Sequence, residues 1–500
     1  MVTLNCAAQT YCNRDDVEGQ SAYVAEFGSF WRRQCCLIPM TRANTPTHIR
    51  WSTLASVVMV TVLTYLDRLN LGIAGKYIQD ELSFSTHTMG WVLSAFLLGY
   101  SPFQVPGGWA GDRFGPKRVL TIAILLWSIF TALTALAPSL SITRWLGVAG
   151  AFIIVRFFVG VGEAAAAPAC NKLVANWIGA EGHGIGSSAF VMGIGVGGAL
   201  TPPLIARVMQ RWGWRSSFYL SGLIGVLVAL LWRWWVTNSP EENPRVNAEE
   251  LALIREARRG KKGISARPSH TPWAQMLSKV SIWGILLGYL CQGFPIYFFH
   301  TWFFIYLVRV RHLSIAQGGL WGSTPYVAIA VLAPLGGWFS DKAVKRLGKR
   351  YGRRVAVCLG MVSSAILMWT GAGASNSREA ITMLALGAGL NMFAATTFWA
   401  VCIDVTDQFT GSLSGLMNTF GNFGGWLSPI VSAYVATRFS WSRALDCAAA
   451  VTIASALLFL LVRADEKVDT LTMSMPTTSV AEDQNVANAN LSNIRMQSTD

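Results

Sequence analysis

The sequence predicts an all-α integral membrane protein with twelve transmembrane helices in two six-helix halves. Three observations carry the prediction. Of the 500 residues, 13% are charged and 52% are hydrophobic, whereas soluble chains carry about 25% charged residues. The apolar residues gather in runs of the roughly 20 residues that a helix needs to cross about 30 Å of hydrocarbon. Two stretches of the first half recur in the second at nearly one offset, as an internal duplication requires.

The runs of the first half fall at 51–75, 89–110, 119–138, 145–171, 184–206 and 216–237. Those of the second fall at 281–308, 318–340, 355–374, 380–403, 412–437 and 442–463. The expected organisation is therefore a disordered extension over 1–45, a half over 46–237, a central loop over 238–280, a half over 281–463 and a disordered tail over 464–500. In the loop, "NAEELALIREARR" has helical spacing and reads as a surface helix. The first 40 residues lack a basic segment followed by an apolar core, so no cleaved signal peptide is expected. Met40 reads as a second candidate start.

Net charge is +14, but the bases cluster in short segments between apolar runs, which excludes nucleic acid as the reason for it. Lys and Arg on alternate loops divide 23 to 10, which predicts both termini in the cytoplasm. The nine cysteines show no metal or redox spacing and read as small buried hydrophobes. With no metal-ligand cluster, P-loop or nucleophile–base pair, neither an enzyme nor a cofactor is expected.

The repeats place the motifs. "GGWAGDRFGPKRV" at 107–119 answers "GGWFSDKAVKRLGKRYGRRV" at 336–355, with Asp112 and Asp341 229 residues apart. Gly108 lets a helix end approach a neighbour. Asp112, Arg113, Lys117 and Arg118 form a charged turn that Gly115 makes tight. "GSSAFVMGIGVGGALTPPL" at 186–204 answers "GSLSGLMNTFGNFGGWLSPI" at 411–430. The glycines before Pro203 and Pro429 suit helices that slide or bend.

Few charges remain inside the spans, and such groups are functional candidates by default. They are Asp67 and Arg68 on span 1, Arg156 and Glu163 on span 4, Asp404 and Asp407 at the inner end of span 10, and His300 on span 7. Arg156 and Glu163 lie about two turns apart on one face. Asp67 and Arg68 point about 100° apart, which predicts different partners. A guanidinium holds a carboxylate bidentately. A carboxylate whose guanidinium is taken by an incoming anion binds a proton more readily, so anion and proton favour each other. Tyr65, Tyr100, Gln104, Gln292, Tyr297, Thr397, Trp399 and Asn418 are neutral polar groups suited to a polyol chain, with Trp399 placed to stack on its carbons.

The turn "GGWAGDRFGPKRV" resembles the major facilitator superfamily, whose loop between spans 2 and 3 reads G-x-x-x-D-R-x-G-x-K/R-R/K. The resemblance implies that Gly108, Asp112, Arg113, Gly115, Arg118 and the repeated Asp341 make a cytoplasmic latch between the halves. "YLDRLNLGIA", "VRFFVGVGEAAAAPACNKLVANW" and "FWAVCIDVT…GSLSGLMNTFGNFGGWLSP" are similar to that superfamily's anion:cation symporter branch, over about 50–465. The implied function is proton-coupled symport of an organic anion, such as a hexuronate, aldonate or aldarate. The implied roles are anion contact for Arg68, proton carriage for Asp67 and Glu163, and assistance from Arg156. His300 matches nothing transferable and stands as a third proton-coupling candidate. The expected partners are a small organic anion, protons and the lipid bilayer. The chain is expected to act as a monomer in a bacterial plasma membrane. The alternatives are a carrier of phosphate, an aromatic carboxylate or sialic acid, and a receptor that binds without transport.

Overall fold

The computed structural model describes residues 45–257 and 271–468. The extension over 1–44, the middle of the central loop and the tail beyond 468 lie outside the described residues. No strand occurs among the described residues. The first half comprises α1 (Ile49–Leu82), α2 (Thr86–Phe114), α3 (Pro116–Leu136), α4 (Thr143–Glu163), α5 (Ala166–Trp177) and α6 (His183–Trp235). The loop between the halves carries α7 (Ala248–Ala257) and α8 (Trp273–Leu277). The second half comprises α9 (Val280–Thr301), α10 (Phe303–Arg309), α11 (Ile315–Trp321), α12 (Thr324–Gly373), α13 (Ser377–Val405), α14 (Thr410–Arg438) and α15 (Trp441–Phe459).

Local chemistry explains the boundaries. The Ser85 hydroxyl accepts from the Thr88 N–H at 3.0 Å and starts α2. Gly115, at φ 86°, ends it, and Pro116 opens α3. The 53-residue α6 is broken at Gly213 (φ 78°, ψ 167°). Gly193 and Gly197 of its first arm pack on Thr61 and Tyr65 of α1. In the second arm, Ser217 and Ser221 hydrogen-bond Asn70, while the Trp235 indole donates to Ser52 at 3.1 Å. Contacts therefore climb α1 along one arm and descend it along the other, so the chain reverses at Gly213. The same device recurs at Gly348 (φ 74°, ψ 169°) in α12.

Eight helical stretches among the described residues are long and apolar enough to cross a membrane by length and composition. The runs expected at 184–206 and 216–237 lie on the two arms of α6, and those at 318–340 and 355–374 on the arms of α12. Those expected at 89–110 and 412–437 lie on α2 and α14, where Gly, Pro and Asn dilute the apolar residues. Each half has its own buried cluster. One gathers around Trp127, Trp177 and Trp232, the other around Phe398, Trp399 and Phe459. With little hydrophobic drive inside a bilayer, close packing of small residues holds such helices. The α2–α14 crossing is an example, since a side chain on Gly108 would collide with the Gly411 carbonyl.

The expected surface helix in the loop is α7, and it is anchored. Glu250 accepts from the Ile49 N–H at 2.9 Å, the Arg50 N–H at 3.0 Å and the Thr47 hydroxyl at 2.7 Å, capping α1. The first residues of the expected tail also pack: the Val468 N–H donates to the Val405 carbonyl at 2.9 Å.

Candidate functional site

Four charged residues meet between α1 and α4. The Arg68 Nε donates to Glu163 Oε2 at 2.9 Å, with the Glu163 side chain 0% exposed and that of Arg68 22% exposed. Glu163 is the last residue of α4, directly before the turn at Ala164–Ala165. Asp67 is 1% exposed. Its two oxygens have no hydrogen-bond partner in the protein, and Glu163, Arg156 and Trp127 are its polar neighbours. Arg156 is buried, and its Nε and one terminal nitrogen also lack protein partners. Asp67 and Arg68 do not share a partner: Arg68 pairs with Glu163, whereas the favourable polar neighbours of Asp67 are Arg156 and Trp127. Arg68, rather than Arg156 two turns away, makes the pair.

Aromatic rings frame the open side of Arg68. Its guanidinium lies 4.3 Å from the Tyr100 ring centroid, 5.2 Å from Phe96 and 5.6 Å from Tyr65. These negative ring faces hold a cation without neutralising it. The second half closes on the same place. Asn418 of α14 donates to the Tyr100 hydroxyl at 3.4 Å. The His300 ring lies 6.2 Å from Tyr65, 5.4 Å from Tyr297 and 5.6 Å from Tyr326. The Tyr297 hydroxyl donates to Asn422 at 2.6 Å. Tyr326 and Asn422 escaped the sequence reading because single polar residues in apolar helices carry no distinguishing pattern.

Other expected residues lie elsewhere or are occupied. Trp399 is buried, its indole donates to the Tyr289 hydroxyl at 2.9 Å, and Phe190 packs 5.2 Å from its ring. Its ring is covered by these neighbours in this structure. The Gln292 amide donates to Asn391 at 2.6 Å within the second half. Gln104 and Thr397 are buried, and their side-chain polar atoms have no partner in the protein.

At one end of the molecule the halves are fastened twice, by reciprocal contacts. Asp112 on α2 accepts from the Gly411 N–H at 2.9 Å, the Ser412 N–H at 2.7 Å and the Ser412 hydroxyl at 2.8 Å. Asp341 on α12 accepts from the Gly184 and Ile185 N–H groups, each at 2.8 Å. Each carboxylate thus caps the first turn of a helix in the other half, where free N–H groups and the helix dipole favour a negative charge. Lys172 of α5 lies 3.3 Å from Asp112 and donates to the Gln408 carbonyl at 2.7 Å. On the Asp341 side, Arg353 joins Asp341 and Asp404, each at 2.9 Å, and His183 meets Asp404 at 2.9 Å.

The latch expected from sequence therefore divides. Gly108, Asp112 and Asp341 reach across the halves. Gly115 rests against Asn238 at the start of the central loop, and Arg118 borders a groove with Phe114, Ile122 and Val161 within the first half. Arg113 is half-buried at the end of α2. Lys172, Arg353 and His183, which join these contacts, carry no sequence signal because bases near a span end read equally as loop charge.

Two duplicated helical halves, with a charged cluster inside the first on which polar residues of the second close, and a fastening at one end, fit a multi-pass membrane transporter. The chain belongs to the Major Facilitator Superfamily, whose family model matches residues 57–429. It is 31% identical to a probable galactarate/D-glucarate transporter of Escherichia coli strain K12, over 84% of this chain and 96% of that protein. It is 29% identical to a probable sulfoacetate transporter of Cupriavidus necator, over 75% of this chain and 85% of that protein. In fold it is similar to a solved proton:xylose symporter bound to 6-bromo-6-deoxy-D-glucose, with TM-score 0.64, 16% identity, and coverage of 85% of this chain and 99% of that one.

Proposed function

We propose that the protein carries an organic anion, a sugar acid such as a hexuronate, aldonate or aldarate, across the plasma membrane together with protons by alternating access. Both termini face the cytoplasm in this reading. One observation carries it: Arg68 is ion-paired to a sealed Glu163 yet keeps part of its own surface exposed, with aromatic rings around its guanidinium. An anion arriving from that side competes for the guanidinium. Glu163 then loses its counter-charge, and the buried carboxylate binds a proton more readily. Asp67, without a protein hydrogen bond, is the second proton seat, and Arg156 keeps the cluster near neutrality. The names of the relatives support an anionic cargo. The one named for sulfoacetate favours a second reading, in which the cargo is a small sulfonated anion.

The test is substrate binding to purified Arg68 variants. Arg68→Ala is expected to lose binding while still inserting. Arg68→Lys is expected to restore little, because an ammonium is a point charge and not a planar fork. Near wild-type affinity in Arg68→Ala refutes the assignment.

A further inference from the structure

Both guanidiniums of the centre, Arg68 and Arg156, belong to the first half. Of the second-half residues gathered there, namely Tyr297, His300, Tyr326, Asn418 and Asn422, His300 is the one whose side chain carries a positive charge when protonated. Its Nε2 is buried with no hydrogen-bond partner in the protein. Three tyrosines surround the ring: Tyr326 stacked at 27°, Tyr297 edge-on at 89° and Tyr65 tilted at 48°. The stacked Tyr326 face can lie against an imidazolium, but burial and the Arg68 charge oppose one until an acid group of the cargo offsets them. Tyr65 also lies 5.6 Å from the Arg68 guanidinium. One ring therefore separates the two groups, which keeps both within reach of one small molecule. Arg68 is the charged group that faces His300, and Tyr65, Tyr297 and Tyr326 are its titratable neighbours.

We infer that His300 seats a second acid group, so that the cargo is a small molecule with two acid groups, one held by Arg68 and the other by the His300 imidazolium. The inference rests on the anion-carrier reading above. An acid group beside an imidazole favours its protonated form. The second acid group therefore binds together with a proton taken from solvent, and selectivity for diacids over monoacids depends on pH. A purely structural histidine, hydrogen-bonded in the core, produces no such dependence.

The probes are galactarate and galactonate, six-carbon polyols that differ in whether one end is a carboxylate. Binding of each to the purified full chain is measured by calorimetry near pH 6 and near pH 8, on either side of the usual histidine range. Wild type is expected to bind galactarate about tenfold or more tighter than galactonate at the lower pH, with the advantage shrinking at the higher. His300→Gln is expected to lose that advantage, weakening galactarate about tenfold more than galactonate, and retained galactonate binding that still depends on Arg68 shows that the site is folded. His300→Lys is expected to keep the advantage and to make it flat across the two conditions. Equal weakening of both ligands in His300→Gln overturns the inference, as does an undiminished galactarate advantage. If neither acid binds wild type in an Arg68-dependent way, the anion-carrier reading falls, and this inference falls with it.

Discussion

Asp112→Asn tests whether the reciprocal caps hold the halves together at one end. The wild-type carboxylate takes three hydrogen bonds from Gly411 and Ser412, at 2.7–2.9 Å, and faces Lys172 at 3.3 Å. Asparagine keeps one acceptor oxygen but presents an NH₂ group where the other accepted, and it leaves Lys172 with carbonyls alone. Loss of a good helix cap costs about 0.5–2 kcal/mol, and hydrogen bonds to a charged group are worth roughly 1.5–3 kcal/mol. The side chain is buried but one acceptor survives, so the fastened state loses about 2–3 kcal/mol, which is roughly thirty- to one-hundred-and-fiftyfold in its ratio to the open state. A reporter cysteine at Val191, buried in the interior of the protein on the first arm of α6, reads the opening. Its labelling rate by a membrane-impermeant thiol reagent applied from the latch side should rise by up to that factor. Asp341→Asn should act in the same direction, because it occupies the equivalent cap. Labelling unchanged in both variants refutes the reasoning.

In proteoliposomes, Asp67→Asn and Glu163→Gln should preserve exchange of labelled for unlabelled substrate while abolishing accumulation driven by a pH gradient. Retained accumulation in both removes them as proton carriers. Glu250 lies outside the spans. Burial opposes its charge, but hydrogen bonds from Thr47, Arg50 and Ile49 outweigh that and hold its pKa below the ordinary glutamate value. A depressed pKa contributes stability that is present above the unfolded value and is lost as pH falls through the folded one. Protection of the Ile49 and Arg50 amides, corrected for intrinsic exchange, should therefore decline on acidification below about pH 4. In Glu250→Gln it should be low and insensitive to pH; equal protection in the two proteins refutes the cap. Trp399→Phe should leave substrate affinity unchanged and lower stability by about 1 kcal/mol, the net worth of its bond to Tyr289. A large affinity loss without destabilisation returns Trp399 to the binding site.

The membrane class, the helical runs and the duplication were legible from the residues alone, because a bilayer enforces long apolar helices and a repeat leaves matching words in the chain. Asp67, Arg68, Arg156 and Glu163 were legible for a related reason: charge is costly in hydrocarbon, so each one stands out against its surroundings. Their pairing was not. Periodicity fixes where a Cα sits on its helix but not which side chain on a neighbouring helix it meets, so the choice of Glu163 by Arg68 rather than by Arg156 shows only in the assembled helices. Trp399 shows another limit: that its ring lies between Phe190 and Tyr289 depends on how three helices pack, which no sequence pattern marks. The latch was half visible. Asp112 and Asp341 were marked by the repeat, but their partners are backbone N–H groups at Gly411, Ser412, Gly184 and Ile185, which no side chain announces. Those groups become binding sites only when a helix begins there and the other half comes close enough to cap it. That depends on how the two halves pack, a property of the assembled chain and of no single segment.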